Sequence, residues 1–314
     1  MTTSEPARPE PSSRAGGPDG LAVVDKPAGP TSHDVVAQLR RQLHTRKIGH
    51  SGTLDPSATG VLLLGVGRVT RLLRFLTALG KSYVGEVVLG VETSTLDAAG
   101  EVTARHDMAG VTLDEVRTAS RSFMGEIQQI PPMVSAVKVG GRRLHELARA
   151  GEVVERAPRP VTIGRIDVDS TGEPATFTVA VDCSSGTYVR VLAADLGRAL
   201  GGVAHLRNLR RTAIGSFTLA EARPPDAVTA ASTLLTPADA LRDYPAVTLE
   251  EGAAAELARS GRLVSDVVPP GLGEGEPFRV LGLSEGGTAL LAVAERRAGR
   301  PRALVVLPSP AGPR

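Results

Sequence analysis

The apolar residues of this chain come in short runs separated by glycine and proline, and this limits the architectures open to it. The strongest run, residues 61–64, is far shorter than the roughly 20 residues of a membrane-spanning helix. Residues 161–168 and 176–183 alternate apolar and polar side chains, as half-buried strands do. Helical spacing recurs elsewhere without a regular βαβ order. The pattern therefore predicts an α+β fold with a mixed, largely antiparallel sheet flanked by helices.

Composition divides the chain into three parts. Residues 1–20 contain four prolines and three glycines with almost no large apolar residue, so we predict a disordered tail that cannot offset its ordering entropy. A main domain is expected over residues 21–240. The composition shifts between residues 223 and 245, and a small β-rich domain is expected over residues 243–314, with strands at 278–283, 289–293 and 303–307.

Local signals place the other elements. Thr31 and Ser32 supply N-cap hydroxyls for a helix that ends near Leu43. Residues 45–60 are rich in Gly, Ser, Thr and Pro, and we expect them to form a long loop. Apolar residues from 69 to 79 share one helical face, with arginines on the other. Further strands are predicted at residues 21–24, 83–91 and 133–139, and further helices at 113–123 and 191–200.

The sequence lacks the residues that several classes of protein function require. The single cysteine, Cys183, allows no internal disulfide and no multi-cysteine zinc site, and an apolar strand ending at it favours a buried thiol over a nucleophile. The six histidines show no metal-ligand spacing, and Phe75 stands where a P-loop before Lys81 would need glycine. We therefore expect neither cofactor nor metal. The N-terminus lacks the apolar stretch of a signal peptide, which favours a cytoplasmic protein without a membrane partner.

The net charge of +2 conceals two basic segments. Residues 40–74 carry seven Lys or Arg and a single acidic residue, Asp55. The second segment, residues 198–211, is also rich in arginine. Such segments form either solvated helix faces or contacts with phosphates, and two of them beside Gly-rich loops favour nucleic acid. Only 3% of the residues are aromatic, without Trp and with three Tyr, so stacking on many bases is not expected.

The loop around Asp55 allows two interpretations. Asp55 followed by Pro56 is typical of a helix start, with the aspartate as N-cap. Alternatively, the one carboxylate of a basic, Gly-rich loop is kept ionised by nearby cations and acts as nucleophile or base. Spacing alone does not choose between a structural and a catalytic Asp55.

Residues 49–60, Gly-His-Ser-Gly-Thr-Leu-Asp-Pro-Ser-Ala-Thr-Gly, closely resemble the catalytic motif of the TruB family of tRNA pseudouridine synthases. Five more segments resemble family motifs in the same order: Lys-Pro-Ala-Gly-Pro-Thr-Ser (26–32), Lys-Ser-Tyr (81–83), Ile-Pro-Pro-Met-Val-Ser-Ala-Val-Lys (130–138), Cys-Ser-Ser-Gly-Thr-Tyr-Val-Arg (183–190) and Leu-Arg-Arg (209–211). Ser57 and Ser94 depart from the usual pattern.

This resemblance implies the pseudouridine synthase fold and the isomerisation of a uridine to pseudouridine in the TΨC arm of tRNA, at position 55. Catalytic roles then fall to Asp55, Tyr83 and Arg190, with Asp55 either attacking covalently or abstracting a sugar proton. The target base must be flipped into a pocket. Residues matching family positions that bind the substrate are His50, Tyr188, Leu209 and Asp97.

The resemblance further implies that residues 243–314 form a PUA-like RNA-binding domain, that the tRNA TΨC stem-loop is the partner, and that no oligomer is required. Tyr188 and Arg190 share a face only if this stretch is extended. Two competing functions were weighed. A non-catalytic tRNA-binding or folding factor would not need the Asp55, Tyr83 and Arg190 set, and a glycoside hydrolase would need a second carboxylate in the motif.

Overall fold

A ten-stranded sheet forms the centre of the molecule. The computed structural model describes residues 17–133, 138–139, 142–143, 154–230, 233–263, 267–284 and 287–307. The strands of this sheet are β1 (Gly20–Lys26), β2 (Ile48–His50), β3 (Thr59–Val66), β4 (Lys81–Leu89), β7 (Gly125–Gln129), β10 (Arg159–Ser170), β11 (Thr176–Cys183), β12 (Ala204–Ile214), β13 (Phe217–Thr218) and β14 (Leu234–Leu235). Two short hairpins lie outside it: β5 (Val91–Thr93) with β6 (Val102–Arg105), and β8 (Lys138–Val139) with β9 (Arg142–Arg143).

The strand order is β14-β1-β3-β12-β4-β11-β10-β7, with β2 paired to β3 and β13 to β12. Every pair in it is antiparallel except β3 with β12, which is parallel. This confirms the predicted mixed, largely antiparallel sheet. The parallel contact aligns Arg211 with Gly60, so that two chain segments with family motifs meet at the centre of the sheet.

Helices cover the main sheet, and their apolar residues complete two hydrophobic clusters against it. They are α1 (Ser32–Gln42), α2 (Leu73–Ala78), α3 (Leu113–Arg121), α4 (Val189–Ala199) and α5 (Glu251–Ser260). Thr31 caps α1 as predicted, accepting a hydrogen bond from the Asp34 amide while Asp34 reaches back to the Thr31 amide. Apolar residues of α1 pack on β1 and β3, and those of α3 and α4 pack on the other half of the sheet.

A four-stranded sheet follows near the C-terminus, in the order β15 (Ala246–Leu249), β16 (Pro277–Ser284), β17 (Gly287–Arg297) and β18 (Arg300–Val306). One apolar cluster joins this small sheet to the main sheet, with Leu281 and Val293 packed together with Leu72 and Phe75. The Tyr244 hydroxyl donates to the Phe75 carbonyl at 2.8 Å. The two sheets therefore share a core, and burial of apolar surface holds them together.

The structure corrects several local predictions. The expected loop over residues 45–60 contains β2 and the start of β3, and the helix from residue 67 begins as a 3₁₀ segment, Gly67–Leu72. The predicted tail does not extend to residue 20, because Asp19 binds the backbone amide and guanidinium of Arg68. Of the strand predicted at 133–139, residues 134–137 lie outside the described part of the chain. The long strand β12 was not predicted.

We predict that Gly60→Ala destabilises the fold far more than Gly29→Ala. Both glycines have a positive φ, +103° and +105°, but a Cβ on Gly60 would lie 2.1 Å from the Arg211 carbonyl oxygen, whereas one on Gly29 would meet nothing within 4 Å. Both variants therefore introduce the same backbone strain, but only Gly60→Ala adds a steric clash with the Arg211 carbonyl. Such a clash lowers the free energy of unfolding by about 1–3 kcal/mol. Urea unfolding measures the difference, and equal losses would contradict the close approach of β3 and β12.

Candidate active site

A cavity of about 440 Å³ opens at the centre of the main sheet, a size typical of small-ligand sites. It lies among the loop that carries Asp55, strands β4 and β12, and the N-terminus of α4. Five of the seven predicted site residues line it: Asp55, Tyr83, Tyr188, Arg190 and Leu209. The fold therefore brings together residues that are up to 154 positions apart in the chain.

Arg190 and Asp55 form a two-point ion pair on the cavity wall. The Arg190 Nε lies 3.1 Å from Asp55 Oδ2, and its Nη2 donates to Asp55 Oδ1 at 3.4 Å. Arg190 is only 5% exposed and the Asp55 side chain is half-buried, so water screens the pair less than it would a pair on the surface. Its Nη1 donates to the Thr95 carbonyl at 2.9 Å and lies 3.5 Å from Asp97 Oδ2. The guanidinium thus holds two carboxylates and a backbone carbonyl in a fixed arrangement.

Arg190 reaches this position from a helix start rather than from an extended segment. Tyr188 is the N-cap of α4 and Arg190 lies in its first turn. The Gln129 side chain holds this helix start, accepting from the Tyr188 amide at 3.0 Å and donating to its carbonyl at 3.3 Å. The turn from extended backbone into helix therefore lets both side chains enter the cavity.

Asp55 does not begin a helix, so the N-cap interpretation is wrong. A turn follows it, with the Ala58 amide donating to the Asp55 carbonyl at 3.1 Å, and β3 starts at Thr59. Burial raises the pKa of Asp55, the Arg190 charge opposes this shift, and Asp97 adds to it. Arg190 therefore favours the ionised form of a carboxylate that has lost much of its hydration.

Tyr83 lies on β4, opposite Arg211 on β12 and Val181 on β11. Burial raises the pKa of its hydroxyl, and the Arg211 guanidinium acts in the opposite direction. Leu209 lines the same cavity and packs against the apolar cluster beneath Tyr83. The cavity thus combines the Asp55 carboxylate, the phenols of Tyr83 and Tyr188, and the apolar side chain of Leu209.

His50 and Asp97 lie beside the cavity rather than among its lining residues. The His50 ring, on β2, meets the His33 ring edge to face at a centroid distance of 5.1 Å. Burial, with the His33 charge, lowers the pKa of His50 to about 4, which makes this imidazole neutral near pH 7. Asp97 contacts Arg190 and accepts from the Thr95 hydroxyl at 2.6 Å.

Three buried cations at this site were missed from the sequence. Lys26 is fully buried, and its Nζ donates to the carbonyls of Pro27 and Pro30 at 2.8 Å and of Pro56 at 3.2 Å. Lys81 and Arg211 line the cavity, 7% and 1% exposed. Each of the three stands in a segment that resembles a family motif, and that signal could have found them.

Many arginines of the two basic segments make intramolecular contacts. Arg71 and Arg74 donate to backbone carbonyls of the C-terminal sheet, and Arg210 pairs with Asp25 at 2.8 Å. These arginines therefore have partners within the protein, and contact of the two segments with phosphates stays a prediction. Exposed cations next to β2 are Arg41, Arg46 and Lys47.

The described residues offer no metal-binding group and no membrane-spanning helix. Within the described ranges, no group of three His, Cys, Asp or Glu side chains could hold a metal ion. No helix of the described chain is long and apolar enough to cross a membrane. Cys183 is a buried thiol, and burial raises its pKa to about 11, so it is a poor nucleophile near neutral pH.

Comparison with solved structures shows which known fold this chain shares. The chain resembles one in a crystal structure of a Cbf5-Nop10-Gar1 complex, with a TM-score of 0.72 and 26% identity, covering 92% of this chain and 85% of that one. A chain of an archaeal box H/ACA sRNP Nop10-Cbf5 complex shares the fold with a TM-score of 0.68 at 24% identity. The sheet core and the C-terminal β domain are those of the pseudouridine synthase fold.

Sequence comparison narrows the class further. Residues 40–189 match the N-terminal domain model of TruB family pseudouridylate synthases, and residues 190–244 match a tRNA pseudouridylate synthase B C-terminal domain. A protein named tRNA pseudouridine synthase B from Rhodococcus jostii is 49% identical over 281 residues, 88% of each chain, and one from Nocardia farcinica is 46% identical over 303 residues, 91% of this chain and 95% of its own. The chain belongs to the TruB family of pseudouridylate synthases and is an isomerase.

We predict that Lys26 makes the free energy of unfolding depend on pH in the alkaline range. Burial lowers the pKa of Lys26 from 10.5 to about 8, so between these values the unfolded chain binds more protons at this site than the folded chain. The unfolding free energy of the wild type should therefore rise relative to that of Lys26→Met as pH increases through this window, by at most about 1.4 kcal/mol per pH unit.

Denaturant titrations of both proteins across that window measure this difference. Lys47→Met removes an exposed lysine and is the matched control for the loss of one lysine side chain. A Lys26 difference that stays constant or falls would contradict the lowered pKa.

Proposed function

We propose that this enzyme converts the uridine at position 55 in the TΨC arm of tRNA to pseudouridine, with Asp55 as its catalytic carboxylate. The observation that carries the proposal is the two-point ion pair of Arg190 with Asp55, on the wall of a cavity that also holds Tyr83 and Tyr188. The relatives' names, tRNA pseudouridine synthase B, support tRNA as the substrate. Such a substrate implies action in the cytoplasm.

The reaction is an isomerisation, so atoms and electrons balance within the substrate and water. The C1′–N1 bond breaks, the base turns, C5 bonds to C1′, and the proton on C5 leaves while N1 gains one. Asp55 assists at the sugar, either by attack on C1′ or by removal of a sugar proton. In both cases it must be ionised, and the Arg190 charge favours that form.

The cavity is suited to one unstacked base. A uridine inside a folded RNA arm must leave its stack to reach a pocket within the protein. Tyr188 and Leu209 supply an aromatic ring and an apolar side chain in the wall, and Tyr83 supplies a hydroxyl. We assign base contact to these three residues. His50, neutral and beside the cavity, is assigned to displacing the base during entry.

The C-terminal sheet is proposed to be a PUA-like RNA-binding domain of a chain whose catalytic domain spans residues 21–240. The β17–β18 hairpin exposes Arg297, Arg300 and Arg302, and exposed arginines are suited to phosphate contacts. The shared core with the main sheet would hold such contacts at a fixed distance from the cavity.

We predict that Asp55→Asn abolishes pseudouridine formation without weakening tRNA binding. The substitution keeps the size of the side chain and removes the charge that the reaction requires, so the single-turnover rate should fall by about 10⁴-fold or more. The measurement is pseudouridine mapping on an unmodified tRNA transcript, with tRNA affinity measured in parallel. Asp182→Asn, at a carboxylate that pairs with the exposed Arg165 outside the cavity, is the matched control.

The outcomes separate the candidate functions. Product at the TΨC uridine from the wild type and the control, and none from Asp55→Asn, supports the proposal. Equal product from all three proteins would overturn the role of Asp55. Product at another uridine would overturn the proposed position of modification in the tRNA. Binding without product from any of them would favour a non-catalytic tRNA-binding factor.

A further inference from the structure

Arg211 and Tyr83 are direct neighbours across two strands of the central sheet. Arg211 on β12 is in register with Tyr83 on β4, and residues directly opposite in an antiparallel pair place their side chains side by side on one face. Both side chains line the cavity, and the Arg211 charge lowers the pKa of the Tyr83 hydroxyl against the larger, opposite effect of burial. The geometry therefore couples a fixed positive charge to the phenol.

The backbone holds the Arg211 guanidinium in place. Its Nε donates to the Val61 carbonyl at 2.7 Å, and its Nη2 donates to the Gly52 carbonyl at 3.4 Å. Gly52 belongs to the loop that carries Asp55. The planar guanidinium fork has further N–H groups. With Nε and Nη2 bound to the backbone, the orientation of the group does not depend on a substrate.

Burial of the Arg211 guanidinium beside two other buried cations is electrostatically unfavourable, so a stabilising interaction should offset it. Lys26 and Lys81 lie close enough that the Arg211 charge contributes to lowering the pKa of each to about 8, behind the larger effect of burial. A third cation among two buried lysines costs stability. A group in the cavity that is stabilised by a cation would account for this position of Arg211 at the cavity wall.

The phenol of Tyr83 is that group. Among described residues, the titratable groups that face it are Arg211 from β12, Cys183 from β11 and Asp55 from the loop. The Cys183 thiol, with its pKa raised to about 11, stays neutral at ordinary pH. Ionised Asp55 disfavours a phenolate. Of the three, Arg211 alone carries the positive charge that favours one.

We propose that Arg211 is a positioning residue that orients the Tyr83 hydroxyl and stabilises its phenolate when Tyr83 takes the proton from C5. This inference rests on the proposed function, which places the uracil against Tyr83. In the step, the C5–H bond breaks and the proton goes to the phenolate oxygen. The C5–H electron pair enters the C5–C6 double bond, the N1–C6 π pair returns to N1, and N1 takes a proton from water. The hydroxide so formed removes the new phenol proton.

The chain allows a direct test, because it has only three tyrosines. Labelling tyrosine with ¹³C at Cζ gives three resonances that report each phenol's ionisation, and Tyr83→Phe assigns one of them. In Arg211→Gln, which loses the charge but can still donate to Val61, the Tyr83 midpoint should rise by about 1–3 pH units. In Arg211→Lys it should stay within about one unit of wild type.

Controls and a kinetic readout complete the experiment. Arg210→Gln makes the same change one residue away, at a side chain paired with Asp25, and should leave the Tyr83 midpoint unchanged. An unshifted resonance of Tyr244, which lies outside the cavity and contacts Phe75, shows that each variant is folded. With tRNA carrying deuterium at C5 of the target uridine, Arg211→Gln should turn over more slowly with a larger isotope effect at unchanged tRNA affinity, and Arg211→Lys should restore the wild-type isotope effect.

Equal Tyr83 midpoints in wild type and Arg211→Gln would overturn the inference, as would an equal shift in Arg210→Gln. If Arg211→Gln does not fold, Arg211→Lys provides the test. A Tyr83 midpoint that differs from the wild-type midpoint by more than about one pH unit would overturn a role of Arg211 that depends on its charge. An unchanged midpoint would support that role. Full activity of Tyr83→Phe would instead refute the assigned role of Tyr83, while the titration would still report the coupling.

Discussion

The ion pair between Arg190 and Asp55 is the interaction on which the site depends. It joins the first turn of α4 to a loop 135 residues earlier in the chain. The same guanidinium binds the Thr95 carbonyl and approaches Asp97, so three segments converge on one buried cation. Burial works against the charge of Asp55, and without a partner this carboxylate would tend to protonate. Structure and reactivity therefore rest on the same contact.

The loop that carries Asp55, between β2 and β3, has no regular structure of its own, yet side chains from the surrounding elements fix it. Lys26 of β1 binds the Pro56 carbonyl, Ser32 of α1 exchanges hydrogen bonds with the Leu54 backbone, and Arg211 of β12 binds the Gly52 carbonyl. Buried polar groups satisfied in this way favour one conformation. This explains why fully buried cations accompany the loop that carries Asp55.

Local signals in the sequence predicted much of the fold. Capping and periodicity located α1, and alternation located β11 at its observed bounds, residues 176–183. The strand β12 was hidden because its arginines interrupt the apolar alternation, and their partners, such as Asp25 and Val61, are distant in the chain. The contacts of Arg71 and Arg74 with the C-terminal sheet are likewise nonlocal. Spacing left Asp55 undecided, and only the motif resemblance favoured catalysis.

The central claim is that Arg190 keeps the half-buried Asp55 ionised, and the pKa of Asp55 tests it most directly. Carboxyl ¹³C resonances of labelled aspartate, assigned with Asp55→Asn, can be followed against pH in wild type, in Arg190→Gln and in Arg198→Gln, a control on the same helix that pairs with Asp195. We expect a wild-type value above the ordinary 3.8, a further rise of about 1–3 units in Arg190→Gln, and no change in the control. An Asp55 pKa that is unchanged or lower in Arg190→Gln would contradict the account.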